Sequence, residues 1–237
     1  MTIEEAHVFF AGLQGSWERT WSTSLTFSQG LRAPNLQESL QVGDTGNWFH
    51  IANGDLGPER NDTIELENRL HAGPVRLGLG GYVSFLRDLI KRVPTERADG
   101  ATEVDGNPVV QNVNGGEGRV YGVEAQLGLA LGRFAELTGS VAYTYGVELL
   151  DEAAAEADER GRDEIPLTRI PPLFGTAGVR LGGELSARWA GSLEPYVLFA
   201  GKQDRLSELD LTDPRIPESG TPAWATVNLR GRLVYRD

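Results

Sequence analysis

The chain has 237 residues, a net charge of −12 and no cysteine. The negative charge argues against nucleic acid as a partner, because binding to phosphates requires a cationic face. Without cysteine, neither a disulfide framework nor a thiolate metal site can form. Its 30 glycines, 8 phenylalanines, 6 tyrosines and 5 tryptophans suit an all-β protein with many turns and aromatic bands.

Neither a signal peptide nor a transmembrane helix is visible in the sequence, and this does not identify the cellular compartment. The N-terminus has no basic region followed by an apolar core, so no secretory signal peptide is visible. No run approaches the roughly 20 apolar residues that a transmembrane helix needs. A soluble protein fits both observations, and so does a piece of a membrane barrel, whose strands need only about 10 alternating residues each.

The strongest signal is an alternation of apolar and polar residues with a period of two, which begins at 21–28. There Trp21, Leu25 and Phe27 alternate with small hydroxylated residues. The pattern returns at about 75–85, 121–131, 137–145 and 225–235. Successive side chains of a strand point to opposite faces, so each segment predicts a strand with one apolar and one polar face.

Nine strands are predicted in this way, at about 8–18, 21–33, 59–71, 74–92, 118–131, 134–148, 173–186, 193–203 and 223–235. Tight turns are expected at 19–20, 72–73, 132–133 and 187–192. Long polar segments alternate with them, at about 34–58, 93–117, 149–172 and 204–222. Short periplasmic turns and long outer loops are typical of an antiparallel up-and-down transmembrane β-barrel of the bacterial outer membrane.

The two faces of the strands fit that barrel but do not require it. Aromatic residues cluster near strand ends, as girdle residues do at a lipid boundary: Trp21, Tyr121, Tyr143, Tyr145 and Tyr235. The opposite face carries glycine, serine, threonine and isolated charges, as expected for a wet lumen. A soluble β-sandwich fits the alternation equally well. The sorting of the connections by length favours the membrane barrel.

Nine strands are a partial barrel, because bacterial single-chain barrels use even strand numbers. An open sheet in lipid leaves two edges of unpaired backbone groups, each costing several kcal/mol. We therefore expect 1–237 to be one partial barrel domain of an incomplete chain, with Met1 an artificial, misassigned or frameshift-created start. The alternative is that several copies assemble one barrel.

Five segments resemble landmarks of TonB-dependent receptors, in the order in which that family carries them. The segments are 30–36 (GLRAPNL), 51–60 (IANGDLGPER), 111–113 with 118–124 (QNV, GRVYGVE), 166–172 (PLTRIPP) and 220–224 (GTPAW). Leu31 stands where the family usually has an aromatic residue, and Gly54 where it has proline. The resemblance extends over almost the entire chain.

The resemblance implies an outer-membrane receptor that takes up a large scarce nutrient, most often a ferric siderophore, with energy delivered through TonB. Its partners would be outer-membrane lipid, an N-terminal plug, the remaining barrel strands, TonB acting on that plug, and a siderophore-type ligand. The family's plug, TonB box and first barrel half would lie upstream, and two further strands downstream. Alternatives are a haem or cobalamin receptor of the same family, or a non-transporting structural or adhesive outer-membrane barrel.

No arrangement of residues predicts an enzyme or a cofactor. A hydrolase would need a nucleophile beside a positioned base, and neither His7 nor His71 is suitably placed. The three histidines have no metal-ligand spacing, so no metal site is predicted. The acidic run from Glu148 to Glu164 lacks the glycine-bearing turn of a calcium site, and a solvated outer loop is the preferred interpretation.

Two sets of residues remain as candidate sites. His50 lies in the long loop where haem receptors of this family place a ligand, although an ordinary solvated histidine is the preferred reading. A second set falls on or near the polar parity and is predicted to face the lumen: Arg32, Glu65, Glu124, Arg180, Arg230 and Arg232. These side chains could contact a plug or guide cargo, or they could form inter-strand charge pairs, which we prefer.

Overall fold

The computed structural model describes residues 8–18, 20–150, 156, 158, 161–211 and 215–235. Most of this part of the chain is β-strand. The strands are β1 (Phe10–Trp17), β2 (Trp21–Arg32), β3 (Gly43–Asp44), β4 (Phe49–Ile51), β5 (Glu59–Ala72), β6 (Val75–Pro94), β7 (Glu103–Val104), β8 (Asn107–Leu131), β9 (Ala135–Leu149), β10 (Glu164–Pro166), β11 (Phe174–Glu184), β12 (Trp189–Ala200) and β13 (Trp224–Tyr235). Two short helices are α1 (Leu36–Leu40) and α2 (Glu208–Leu211).

Nine strands form a single antiparallel wall in which neighbours in sequence are neighbours in space. Its order is β1-β2-β5-β6-β8-β9-β11-β12-β13, and the remaining strands lie off this path. The wall is open, since β1 and β13 each pair on one side only within the described residues. The predicted all-β, up-and-down architecture with nine main strands is confirmed.

Tight turns join alternate strands at one end of the wall. Gly73 and Gly132 have φ of +55° and +70°, a conformation that side chains with a Cβ rarely adopt. The turn before β12 is at 185–188 rather than 187–192, because the amide of Leu185 already donates to the carbonyl of Trp189 at 2.8 Å. Arg19, in the first predicted turn, lies outside the described residues.

The segment 93–117 was predicted to be a loop, and that prediction is wrong for half of it. β8 begins at Asn107, and its first part pairs with β6 as far as Pro94. The register between β6 and β8 shifts around Leu86, Leu89 and Ile90, which marks a bulge. Glycine and asparagine interrupt the alternation at 112–118, so this strand extension gives no period-two signal.

An outer cap sits on the long-loop end, formed by α1, β3, β4, β7 and residues 107–111 of β8. β4 runs parallel to β8 and pairs Phe49 with Val109 and His50 with Val110. Val109 and Val110 are each 1% exposed, which makes them the most deeply buried apolar side chains among the described residues. The other buried apolar residues among those described, Val147 and Ala200, lie on wall strands β9 and β12.

The apolar face of the wall is uncovered. Exposure reaches 84% at Val227 and 68% at Leu229 on β13, and many apolar residues on other strands are exposed as well. Exposed apolar surface on this scale marks an interface with a partner or a membrane. The soluble sandwich is therefore wrong, because it would bury this face against a second sheet.

Within the described residues, no helix has the length and apolar composition needed to cross a bilayer.

Candidate functional site on the polar face

The polar face of the wall forms a groove of about 630 Å³. Strand register builds it, because alternate residues of seven neighbouring strands, from β5 to β13 along the wall, point to this one side. Three of the predicted lumen residues, Glu65, Glu124 and Arg230, line the groove. In the described part of the chain, no cluster of three or more His, Asp or Glu side chains could hold a metal ion.

A ladder of alternating charges crosses the groove from β6 to β13. Arg76 pairs with Glu136, and Glu136 pairs in turn with Arg180 at 3.3 Å. The next rung is Arg180 to Glu194, also at 3.3 Å. Arg230 closes the ladder 3.9 Å from Glu194. Five charged side chains on separate strands, three arginines and two glutamates, are therefore paired in sequence along one row.

Gly128 on β8 makes the first rung of the ladder possible. Arg76 on β6 and Glu136 on β9 are separated by β8, and their side chains meet above Gly128. A Cβ on Gly128 would lie 2.9 Å from Glu136 Oε1 and 3.2 Å from Arg76 Nε. Any side chain at this position would therefore separate the two charges.

The two carboxylates of the ladder are shielded, whereas its arginines are half exposed. Glu194 is 8% exposed and also accepts a hydrogen bond from Thr138 at 3.3 Å. Arg180 and Arg230 remain accessible to water. Solvent screening weakens each pair, so we attribute to the ladder mainly the positioning of its side chains.

The opposite part of the groove is acidic. Glu67 pairs with Arg69 on its own strand, but Glu65 and Glu124 make no ion pair among the described residues. Gly80 lies between Glu67 and Glu124 in one register row, and nothing lies within 4 Å of a Cβ placed there. The polar face therefore has one half whose charges are paired and one half with excess negative charge.

Arg32 and Arg232 lie outside the groove. Arg32 is at the cap end of β2, where it binds Glu59 at 2.5 Å and Glu38 of α1 at 3.0 Å. Glu38 also completes a capping box with Asn35, which fixes the start of α1. Arg232 lies opposite Ser192 near the short-turn end. Any contact of these residues with cargo or a plug stays a prediction.

His50 is 3% exposed within the cap. Burial lowers the pKa of His50, and the positive charge of Arg92 lowers it further, so the neutral imidazole is favoured. The preferred expectation of a solvated loop histidine is therefore wrong, because β4 packs it against β8. A ligand role for His50 stays a prediction.

Arginines stack on the aromatic residues of the cap. Arg92 lies 5.3 Å from the ring centre of Trp48, and Arg97 lies 5.5 Å from that of Phe49. Sequence reasoning missed this group, since the partners are more than 40 positions apart and no local pattern joins them. Each contact places a guanidinium over an aromatic face, and Arg97 also pairs with Asp99 at 3.1 Å.

A buried carboxylate ties the two later outer loops together. Asp210 is almost fully buried and accepts hydrogen bonds from Thr168 at 2.6 Å and from the amides of Arg169 and Ser207. Burial opposes ionisation, but these hydrogen bonds outweigh it and lower the pKa of Asp210. Asp210 therefore keeps its negative charge at neutral pH.

Part of the acidic run lies outside the described residues, at 151–155, 157 and 159–160. Within the described part, Asp158 accepts a hydrogen bond from Arg162 at 2.6 Å.

Aromatic side chains mark both borders of the apolar face. Trp17 with Trp21 and Trp189 with Tyr235 lie at the short-turn end, with ring centres 6.4 and 5.0 Å apart. Tyr121 lies ten positions from Leu131 on β8, or roughly 33 Å at a rise of about 3.3 Å per residue. A strand tilted by about 40° would then cross roughly 25 Å, the height of the apolar band in outer-membrane barrels.

The sequence from 11 to 235 matches the family model described as TonB dependent receptor-like, beta-barrel. Among solved structures, the ferric enterobactin receptor PfeA in complex with BCV-L6 aligns at a TM-score of 0.64 and 18% identity, over 94% of this chain and 32% of that one. The copper transporter OprC aligns at 0.63 and 17%, over 94% and 30%. BauA, the ferric preacinetobactin receptor of Acinetobacter baumannii, aligns at 0.59 and 15%, over 96% and 29%.

At these identities the structural likeness shows the fold alone, and the chain spans about a third or less of each of those proteins. No curated protein matches the sequence. The family model, in contrast, covers nearly the whole chain and confirms the resemblance carried by the five landmark segments. Members of this family are outer-membrane receptors, not enzymes. The chain belongs to the TonB-dependent receptors, as a part of their β-barrel.

Proposed function

We propose that this chain forms part of an outer-membrane transporter that takes up a large scarce nutrient, a ferric siderophore, with energy supplied through TonB. The observation that carries the proposal is the two-faced wall, apolar and uncovered on one side and charged on the other. Such a wall suits lipid outside and a water-filled lumen inside. We further propose that residues 1–237 form one barrel domain located in the outer membrane.

The structural relatives support a metal complex as cargo. PfeA and BauA are described as ferric enterobactin and ferric preacinetobactin receptors, and OprC as a copper transporter. Cargo selectivity would reside in the outer loops. The arginines stacked on Trp48 and Phe49 would attract an anionic ferric complex and offer it flat apolar contact.

The plug and TonB would act from the lumen side. The acidic half of the groove, with Glu65 and Glu124 unpaired among the described residues, would face the plug. The ladder, with three arginines and two glutamates, would offer the plug polar contact of opposite sign to the acidic half. Each of these roles is part of the proposal.

Haem as cargo has less support. A haem ligand must reach the iron, whereas His50 is buried between β4 and β8. Coordination would require the cap to open. Burial of His50 therefore favours siderophore over haem.

Uptake of radioactive iron tests the function directly. A strain lacking the intact receptor would be compared with a complemented strain, using a panel of ferric siderophores and free ferric citrate under iron limitation. We expect one siderophore class to be taken up only by the complemented strain, and only when TonB is present. Equal uptake with and without the receptor for every iron source, haem and cobalamin included, would contradict transport and favour a structural or adhesive barrel.

A further inference from the structure

A notch interrupts the apolar face at its short-turn end. Its floor consists of Gly183 on β11 and Gly191 on β12, which are direct register partners. Both lie on the same parity as the exposed Leu181 and Leu193, and hence on the outward face. The two missing side chains leave a cavity of about 490 Å³.

The walls of the notch are apolar. A Cβ on Gly183 would lie 3.1 Å from the ring of Phe134, and a Cβ on Gly191 would lie 3.1 Å from Leu185 and 3.5 Å from Leu233. These three wall side chains are themselves exposed to the surroundings of the wall. A cavity lined in this way offers water almost no hydrogen-bond partners and suits a flexible hydrocarbon chain.

Two arginines flank the notch in the short turns. Arg133 lies 4.4 Å from the ring centre of Phe134, so it is held beside one wall. Arg188 donates to the hydroxyl of Tyr235 at 3.5 Å, and that ring packs on Trp189. Neither arginine makes an ion pair among the described residues. Guanidinium groups recognise phosphate through paired donors.

We propose that the notch is a binding site for an anionic phospholipid of the periplasmic leaflet. One acyl chain lies over Gly183 and Gly191, and the lipid phosphate binds Arg133 and Arg188. The position fits, because Trp189 and Tyr235 mark the level at which lipid headgroups meet the hydrocarbon. The inference rests on the proposed membrane location, but not on cargo or TonB.

Retention of lipid by the intact protein tests the site. The protein would be assembled in nanodiscs of phosphatidylethanolamine with a minor fraction of phosphatidylglycerol, then released into detergent for native mass spectrometry. We expect phosphatidylglycerol to be retained in preference to phosphatidylethanolamine. Arg133→Gln and Arg188→Gln should each weaken that retention roughly five-fold, as expected for one cation at a lipid surface.

Filling the notch tests the acyl-chain part of the site. Gly191→Leu should abolish retention. Gly191→Ala should only reduce it, because its tightest contact is with the flexible end of Leu185, and Arg232 O and Leu233 lie at ordinary contact distance. Gly81→Leu and Arg60→Gln are the matched controls and should retain lipid as the unchanged protein does. Gly81 lies on the outward face of β6, and Arg60 lies at the cap end of β5.

Equal retention of the two lipids by the unchanged protein would overturn the proposal, and so would equal losses in the notch and control variants. Circular dichroism of each variant separates lost lipid from lost folding. Membrane fractionation and iron uptake, measured on the same strains, show separately whether the proposed location and function hold. The lipid measurement can therefore support or overturn the proposed site independently of the transport measurement.

Discussion

The outer cap and the wall place the same kinds of residue in opposite environments. In the cap, Val109 and Val110 are 1% exposed, and Gln111 donates a hydrogen bond to the backbone carbonyl of Ala52 at 2.9 Å. In the wall, Val227 is 84% exposed. The cap follows the rules of a protein in water, whereas the wall turns its apolar side chains outward.

This difference indicates that the two regions meet different solvents. Valine in the cap is stabilised by leaving water, so it needs a layer of protein around it. Valine on the wall needs no such layer if hydrocarbon surrounds it. Substitutions that introduce charge should therefore act by different mechanisms in the two regions, and this gives ways to test the comparison.

The largest effect is expected at the core of the cap. Val110→Asp would bury an unpaired charge, which should cost about 4 kcal/mol of cap stability. Hydrogen exchange of the amides around β4 and the start of β8 measures that loss, while exchange in β9 to β13 should not change. Exchange that rises equally in cap and wall would show that the two are one cooperative unit.

The next largest effect is expected on the outward face of the wall. Leu229→Arg, near the middle of β13, should cost about 3 kcal/mol in urea unfolding from lipid vesicles. The neighbouring Asn228→Arg points to the lumen side and serves as the control, with little expected change. Similar values for the two variants would mean that the two faces of β13 are not in different solvents.

The charge ladder should give a smaller effect. Glu194→Gln would leave Arg180 and Arg230 without their shared carboxylate, at a cost of about 1 kcal/mol after screening. Combining it with Arg180→Gln should cost less than the sum of the single changes, because both remove one interaction. Glu65→Gln, an unpaired carboxylate in the same groove, is the control. Strict additivity in the double variant would contradict the ladder.

The smallest effect is a pH dependence of stability, which we expect for the cap because it contains His50. The pKa of His50 is lowered in the folded cap, so the unfolded state binds more protons as the pH falls. Cap stability should be complete above the unfolded value of about 6.5 and should decline as the pH falls below it. Hydrogen exchange of the cap at pH 7.5 and 5.5 measures this. A His50→Phe variant that keeps the same pH dependence would assign it to another group.

The wall could be predicted from the sequence because its signal is local. Period-two alternation places nine strands, and the landmark segments identify the family. The start of β12 was placed too late because the turn was predicted at 187–192, whereas the structure has it at 185–188. Arg180 and Arg230 were selected by parity, but the ladder depends on Gly128, which carries no sign of its role in the sequence.

The cap could not be predicted because its contacts are long-range. β4 is three residues long and pairs with a strand about 60 positions away. Burial of His50 follows from that pairing alone. The notch was missed for a similar reason, since Gly183 and Gly191 meet only once the turn at 185–188 is placed correctly.

Accessibility along β13 tests the central claim most directly. The chain has no cysteine, so single cysteines can be introduced at 225–234 and spin-labelled in the intact protein reconstituted in lipid. We predict that labels at Val227, Leu229 and Leu233 collide with oxygen dissolved in hydrocarbon, and that labels at Thr226 and Asn228 collide with a water-soluble nickel chelate. Uniform accessibility, or the opposite alternation, would contradict a wall with lipid on its apolar face and water on its charged face.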